Sequence, residues 1–359
     1  MSNKSILFYF LNLLFLSVLV TNSLSAQYDD LKNNTDIPWI AEFSMDHDFS
    51  FQTENDDQNI IKLIKLYSDP TNMEGANSDR WIIDWIYYNA INGHYQCFKD
   101  PGLTQQISNK ELSDLNATID TIITFYPEKF EEVIQIVRNE LNPSSIKSLR
   151  SNQLVYHNQK SKNFETKLIS VAPLVESETT KGLTPLFWIK LDANVPQKFD
   201  IHHPNITWGA LIDTKGSPLF SNFIQIVKNE KNFDFRKQLH QQAFKLEKPI
   251  ESAEGYGCDI FLNKLEIESM YNSIDTIITF DPQTFQETVE IRKNDIDPNE
   301  ITHYRLVQEW YYDVETKLLM NRLKAICPLA VIQDNSGKIK YAPNGARRYA
   351  KPFYYIKYD

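Results

Sequence analysis

The sequence has few cysteines and few glycines for its length. It contains 3 cysteines and 10 glycines in 359 residues. Three cysteines are too few for a disulfide framework in a chain this long, so at least one is free or pairs between chains. A Cys97–Cys258 bridge stays open, because Tyr95-Gln-Cys97 and Tyr256-Gly-Cys258 look alike. Cys327 lies in an apolar run and is most simply a small core residue.

Motifs of enzymes and of phosphate-binding loops are also missing from the sequence. There is no glycine-rich phosphate loop, no Cys-x-x-Cys, no His-Glu-x-x-His and no Gly-x-Ser-x-Gly. Among the 7 histidines, only Asp46-His-Asp48 and His202-His203 place candidate bases or metal ligands close together. Adjacent residues in a strand point to opposite faces, so His202 and His203 would not easily share a metal there. We expect both groups to lie in solvated loops. We therefore expect no catalytic residue, no cofactor and no metal.

Basic charge is not in excess either. The formal net charge is −10 and the isoelectric point is about 5.3, with acidic and basic residues interspersed. A nucleic-acid surface needs a concentrated basic face, so we predict no nucleic-acid partner. With 42% hydrophobic and 13% aromatic residues, the chain can form a substantial core in each of two domains.

After Gln27, no apolar run is long enough to cross a membrane. The apolar run Ile6–Val20 follows Lys4 and is followed by small residues up to Ala26. This order predicts a secretory signal peptide over residues 1–26, and an uncleaved anchor is the alternative. No cysteine lies near the cleavage point, which disfavours a lipoprotein. We expect a mature protein in the periplasm, or outside the cell, without a transmembrane segment.

The chain contains an internal duplication. The stretch Ile119-Asp-Thr-Ile-Ile-Thr-Phe125 recurs letter for letter at Ile274–Phe280, an offset of 155 residues that then continues without a gap. We interpret the positions that both copies keep as positions that the fold needs. The predicted organisation is a signal peptide (1–26), an N-terminal segment (27–78), a first repeat (79–192), a linker (193–233) and a second repeat (234–359).

Each repeat is predicted to begin with two helices. In the first repeat, apolar residues at helical spacing from Trp81 to Ile91 predict a helix that ends at Gly93. Its aromatic residues could instead form a sugar-binding platform, but their spacing favours a buried face. The pattern Ser108-Asn-Lys-Glu111 predicts a capping box at the start of a second, short helix.

Strands are predicted to follow the helices in each repeat. Segments rich in β-branched residues, such as Ile119–Phe125, are typical of strands. A hairpin is predicted around Asn158–Ser161, with its second strand ending at Pro173, and Pro328 occupies the matching place in the second repeat. A turn is also predicted around Asp334–Gly337. The predicted fold class is α+β, as two tandem copies of a small domain with helices packed on a mostly antiparallel sheet.

Ordered motifs in the second repeat resemble the gliding-motility GldN/PorN family. The first repeat is similar more weakly, and it has Leu154–Asn158 where the second has Glu309–Asp313. The motifs of the second repeat are Asp275-Thr-Ile-Ile, Asp281-Pro-Gln-Thr-Phe285, Asn294-Asp-Ile-Asp-Pro298, Tyr304-Arg-Leu, Glu309-Trp-Tyr-Tyr-Asp313 and Ala325-Ile-Cys-Pro-Leu329.

This resemblance implies a divergent tandem relative of a periplasmic component of the Bacteroidota type IX secretion machinery. The expected partners are other envelope proteins, such as an outer-membrane lipoprotein of the secretion ring. The expected function is a non-enzymatic scaffold or adaptor. The alternative is a secreted carbohydrate- or protein-binding module, or a hydrolase that uses a carboxylate pair.

Five residues are candidates for interaction or structural roles. They are Glu309, Trp310, Tyr311, Asp313 and Trp188. Because strand residues alternate, Tyr311 is expected on the face opposite to Trp310, with one face in the core and the other a contact surface. We expect Glu309 and Asp313 to brace this segment with polar contacts.

Overall fold

A computed structural model gives the structure for most of the chain. The predicted signal peptide and the predicted turn at Asp334–Gly337 lie outside the described residues. The described residues are 29–48, 60–66, 81–115, 117–126, 131–146, 148–177, 182–191, 203–214, 225–230, 232–254, 256–280, 283–295, 301, 303–331 and 349–358.

The elements follow one another in two matching series. The first series is α1 (Asp29–Asn33), β1 (Trp39–Asp48), β2 (Ile60–Leu66), α2 (Trp81–Ile91), β3 (Cys97–Phe98), α3 (Asn109–Leu115), β4 (Ala117–Tyr126), β5 (Glu131–Glu140), a 3-10 turn (Pro143–Ser145), β6 (Ser148–Asn158), β7 (Asn163–Ser177), β8 (Gly182–Pro185) and β9 (Trp188–Lys190). The second series is β10 (Ile206–Thr214), β11 (Gln225–Asn229), α4 (Phe235–Phe244), β12 (Ile250–Ser252), α5 (Lys264–Tyr271), β13 (Asn272–Phe280), β14 (Glu287–Asp295), β15 (His303–Asp313), β16 (Leu318–Val331), β17 (Tyr349–Pro352) and β18 (Tyr354–Lys357).

The predicted fold class is confirmed: the protein is α+β and consists of two tandem copies. From β1 and from β10 onward, the elements have the same order. The identical segments both form strands, as β4 and β13. The predicted helix ends are also found, since Gly93 has a φ of 76° and Ser108 and Glu111 form the capping box before α3.

The strands form two seven-stranded antiparallel sheets and two separate hairpins. Sheet 1 has the order β11-β1-β6-β7-β9-β3, and β8 also pairs with β7. Sheet 2 has the equivalent order β2-β10-β15-β16-β18-β12, and β17 also pairs with β16. The first hairpin (β4–β5) and the second hairpin (β13–β14) are two-stranded sheets of their own.

The two copies exchange an edge strand. Strand β2 belongs to the first series but pairs in sheet 2, where Leu66 lies opposite Trp208. Strand β11 belongs to the second series but pairs in sheet 1, where Asn229 lies opposite Trp39. Each sheet is therefore completed by the other copy, and the segments 27–78 and 193–233 each contribute two strands to the sheets. The domain boundaries themselves stay a prediction.

The core lies between the sheets and is also shared by both copies. In one cluster, Trp39 of β1 packs on Phe235 of α4 with 5.1 Å between ring centroids. In the other, Trp85 of α2 packs on Tyr312 of β15 at 5.3 Å. Both helices bury residues four positions apart, which is helical spacing: Ile82, Ile86 and Ala90 in α2, and Phe235, Leu239 and Ala243 in α4.

The prediction that Pro173 ends its strand is wrong. Strand β7 continues to Ser177, and β16 likewise continues past Pro328. Proline has no N–H to donate, so a strand tolerates it only where no acceptor needs one. Pro173 faces the gap between β8 and β9, and its carbonyl oxygen accepts a hydrogen bond from the Leu186 N–H at 2.9 Å. Pro328 faces the equivalent gap between β17 and β18.

All three cysteines are free thiols. A Cys97–Cys258 bridge is therefore not formed in this structure. Cys97 and Cys327 are buried, and burial raises the pKa of each thiol to about 12. These two residues act as small core side chains, as expected for Cys327.

Candidate interaction surface

The second hairpin presents an exposed apolar face. Ile278 is 51% exposed, Val289 is 54% exposed and Ile291 is 70% exposed. Ile278 lies directly opposite Val289, and Ile291 lies opposite Thr276, so these positions share one face of the hairpin. Exposed apolar side chains grouped on one face, with Glu287 at one end, are typical of protein interaction sites.

The tip of this hairpin carries an exposed aromatic residue. Phe285 is 83% exposed and has a φ of 55°, in the left-handed region that non-glycine residues rarely adopt. A bulky side chain held in such a backbone conformation and in water contributes nothing to the core. Exposed aromatic residues are frequent anchors of protein interfaces.

Both copies keep the composition of this face. The two hairpins have the same register, with Ile123 opposite Ile134 in the first and Ile278 opposite Val289 in the second. On this face, positions 132, 134 and 136 of the first hairpin are Glu, Ile and Ile. The equivalent positions 287, 289 and 291 of the second hairpin are Glu, Val and Ile. On the other face, Val133, Gln135 and Val137 correspond to Thr288, Glu290 and Arg292.

The repeated segment therefore needs a different interpretation from the one based on sequence. From the sequence alone, identity between the copies predicts residues that the fold needs. In the described part of that segment, however, Ile278 is exposed and lies outside both main sheets. Burial in the core does not account for the identity at this apolar position, which makes it a candidate contact. The exact repeat was the signal that could have located this site.

The residues predicted from the family motif lie elsewhere, in the core. Trp310 is 0% exposed, packs against the His47 ring at 4.6 Å between centroids, and donates from Nε1 to Gln308 Oε1 at 3.3 Å. Tyr311 on the other face is 1% exposed, and its hydroxyl donates to Glu309. The expectation that one face of this strand is a contact surface is therefore wrong, because both faces are covered.

Glu309, Asp313 and Trp188 also have structural contacts. Glu309 Oε2 accepts a hydrogen bond from Arg322 Nε at 2.7 Å. Asp313 Oδ1 accepts from the backbone N–H groups of Glu315 at 2.9 Å and Thr316 at 3.2 Å, which shapes the β15–β16 turn. Trp188 is buried in a cluster with three neighbours. These neighbours are Phe98, Leu103 and Ala172.

A buried polar network joins the two copies. Gln153 and Gln308 are equivalent residues, 155 positions apart, and Gln308 Nε2 donates to Gln153 Oε1 at 2.7 Å. Asn321 Nδ2 donates to the same oxygen at 2.6 Å, and Gln153 Nε2 donates to Ser151 Oγ at 2.8 Å. Contact between equivalent residues places an approximate twofold axis between the glutamines. We did not predict this network, although the shared glutamine was visible in the sequence.

Asp46-His-Asp48 is not a solvated loop, and that expectation is wrong. His47 lies in β1, is fully buried, and its Nε2 is 2.8 Å from Ser151 Oγ. Burial lowers its pKa to about 4, while the nearby Asp46 carboxylate acts in the opposite direction. Asp46 itself accepts two hydrogen bonds from Arg150, at 2.6 and 2.8 Å. In the second group, His203 is exposed and His202 lies outside the described residues.

The described residues contain no group of three or more His, Cys, Asp or Glu side chains that could hold a metal ion. The buried carboxylates have basic partners instead. Asp213 Oδ1 is 3.4 Å from Arg305 Nε, and Glu251 Oε2 is 3.5 Å from Lys357 Nζ.

The aromatic side chains that the structure describes in α2 do not form a sugar-binding platform. Tyr87 is buried, and Trp85 packs on Tyr312. Tyr88 is exposed, but a stacking platform needs a set of accessible rings on one surface. The helix spacing correctly favoured a buried face.

Comparison with protein families gives two matches along the chain. A family model described as Gliding motility associated protein GldN matches residues 58–207 and again residues 210–359. No curated protein and no solved structure matches the chain. Among the described residues, no helix is long and apolar enough to cross a bilayer.

Proposed function

The chain belongs to the GldN family of gliding motility associated proteins, and on this premise we propose that it is a non-enzymatic scaffold of the type IX secretion and gliding machinery. Members of this family are components of that machinery. A scaffold has to present surfaces that bind other proteins. The exposed apolar face of the second hairpin, with Phe285 at its tip, is the observation that carries this proposal.

The proposed location is the periplasm, and the proposed partners are other envelope proteins of the secretion apparatus. The predicted signal peptide over residues 1–26 and the family membership support this location. An outer-membrane lipoprotein of the secretion ring is one such partner. The core residues of the second copy, including Trp310, hold the sheets in place while the hairpin makes the contact.

The scaffold proposal is tested by deleting the gene and complementing the deletion with variants. Deletion should impair secretion and surface motility, and the unaltered gene should restore both. An Ile278→Asp/Val289→Asp variant should fail to restore them, because two charges replace the apolar face. Thr279→Asp is the matched control, since Thr279 is exposed on the opposite face of the same strand.

Two results would contradict the scaffold proposal. One is normal secretion and motility in the deletion strain. The other is turnover of a polysaccharide or peptide by the purified protein, abolished by a single Asp or Glu substitution. Immunoblotting of each variant establishes that loss of function does not come from loss of protein.

A further inference from the structure

We infer that the molecule is a bivalent adaptor whose two hairpins bind two copies of one and the same partner protein. This inference rests on the proposed scaffold function and adds the number and the chemistry of the partners. The first hairpin (β4–β5) and the second hairpin (β13–β14) are the two binding elements. Each would contact its partner through the repeated apolar face.

The repeated residues are those that a partner would touch. By register, Ile123, Ile134 and Ile136 correspond to Ile278, Val289 and Ile291, which are exposed in the second hairpin. The residues that connect the two strands in sequence also correspond, since Pro127-Glu-Lys-Phe130 is matched by Pro282-Gln-Thr-Phe285. Two surfaces of the same composition and register fit the same partner surface.

Binding of two partners at once requires that the two hairpins lie apart from each other. Equivalent elements meet at the approximate twofold axis, where Gln153 contacts Gln308 and β7 packs on β16. Each hairpin is a two-stranded sheet that is not paired with either main sheet. The apolar face of the second hairpin is not covered by the rest of the molecule, because Ile278 and Ile291 remain exposed.

Charge defines the kind of partner. Residues 117–140 and residues 272–295 each contain five acidic and two basic side chains, a net charge of −3 for each hairpin. Two such hairpins repel each other, which disfavours the pairing of one copy of this chain with another. A partner surface that is apolar at its centre and rimmed by Lys and Arg would be complementary.

An isolated hairpin has a physical reason to bind. A two-stranded sheet is marginally stable in water, because both of its edges and at least one face remain solvated. Covering the apolar face removes it from water and supports the strands. A partner would therefore stabilise the hairpins more than the two main sheets, which are already complete.

Site-specific photo-crosslinking in cells tests this inference. The photoreactive residue p-benzoylphenylalanine replaces Ile123 in one variant and Ile278 in another. We expect both variants to crosslink the same partner, through a peptide in which apolar residues alternate with or adjoin Lys or Arg. The matched controls place the photoreactive residue at Thr124 and Thr279, which by register lie on the opposite faces. They should give at least tenfold less crosslink.

The number of partners bound per chain provides a second test. With the crosslinked partner purified, titration calorimetry of the mature protein should give two partners per chain. Ile123→Asp and Ile278→Asp should each reduce this to one, and the double variant should abolish binding. The Thr279→Asp variant should still bind two partners per chain. Circular dichroism spectra and melting temperatures matching those of the unaltered protein show that each variant is folded.

Several outcomes would overturn the inference. They are different partners at the two hairpins, a crosslink to a second copy of this chain, a ratio of one partner per chain, or no crosslink above the controls. The scaffold role fails separately. If both hairpins bind one protein that secretion and motility do not require, the bivalent arrangement stands and the proposed function falls.

Discussion

At the residue scale, the copies differ where they meet in the core. Val155 and Trp310 are equivalent positions, both are fully buried, and only the second copy fills the position with an indole. Trp310 contacts His47 from the first copy, so one large side chain spans the contact between the copies. The size of Trp310 makes it important for stability, and its burial removes it from any external contact.

Replacing Trp310 by Ala should lower the free energy of unfolding by about 3–5 kcal/mol, because the substitution leaves a large cavity. Urea denaturation followed by circular dichroism measures the change. Leu265→Ala is the control, since Leu265 is 76% exposed and should change stability by under about 0.5 kcal/mol. If Trp310→Ala lowered the free energy of unfolding by no more than Leu265→Ala does, this position would not be part of the core.

Two buried histidines should make the protein sensitive to acid. Burial lowers the pKa of His47 and of His157 to about 4, against 6.5 for an unburied imidazole. As the pH falls, these histidines are protonated in the unfolded chain before they are protonated in the folded protein, and this favours unfolding. The free energy of unfolding is therefore unaffected by these histidines above about pH 6.5. Between pH 6.5 and pH 4 it falls by about 2–3 kcal/mol for each histidine.

Unfolding free energies at pH 7 and pH 4.5 test this dependence. The His157→Phe variant keeps an aromatic ring among Phe164 and Phe233, whose centroids each lie 4.9 Å from the His157 ring. It should lose about 2 kcal/mol less than the unaltered protein over this interval. Equal losses in both proteins would show that His157 does not titrate in this way.

At the element scale, local patterns predicted local structure. The helix that ends at Gly93, the capping box at Ser108 and the hairpin around Asn158–Ser161 depend on residues close together in sequence, and all three are found. Strands β1, β2, β10 and β11 were not predicted. Their partner strands lie more than about 90 residues away in the sequence, and no local pattern encodes such pairing.

Helix α5 leads directly into the second hairpin, so its cap also supports the candidate site. Asn263 Oδ1 accepts from the Glu266 N–H at 3.1 Å, and Glu266 Oε2 accepts from the Asn263 N–H at 2.7 Å. Asn263→Ala should reduce the unfolding free energy by about 1 kcal/mol, measured by thermal and urea denaturation. Lys264→Ala, at the exposed first helical position, is the control. An equal effect of both substitutions would contradict a capping role.

At the scale of the whole molecule, the exchanged strands make each copy dependent on the other. An isolated first copy, residues 27–202, has β1 without its neighbour β11 and has β2 without a sheet to join. We expect this fragment to form a homodimer that exchanges β2 and brings Gln153 against its own counterpart. Light scattering coupled to size exclusion measures its mass, and a stably folded monomer would contradict the exchange.

The duplication, the fold class and the family follow from the sequence alone, because they depend on the order of residues and on local periodicity. Which apolar residues are covered depends instead on how distant strands pack together. A strand of alternating apolar residues has the same pattern whether its face meets another sheet or water. Ile278 and Trp310 are both apolar strand residues, and only their non-local neighbours make one a candidate contact and the other a core residue.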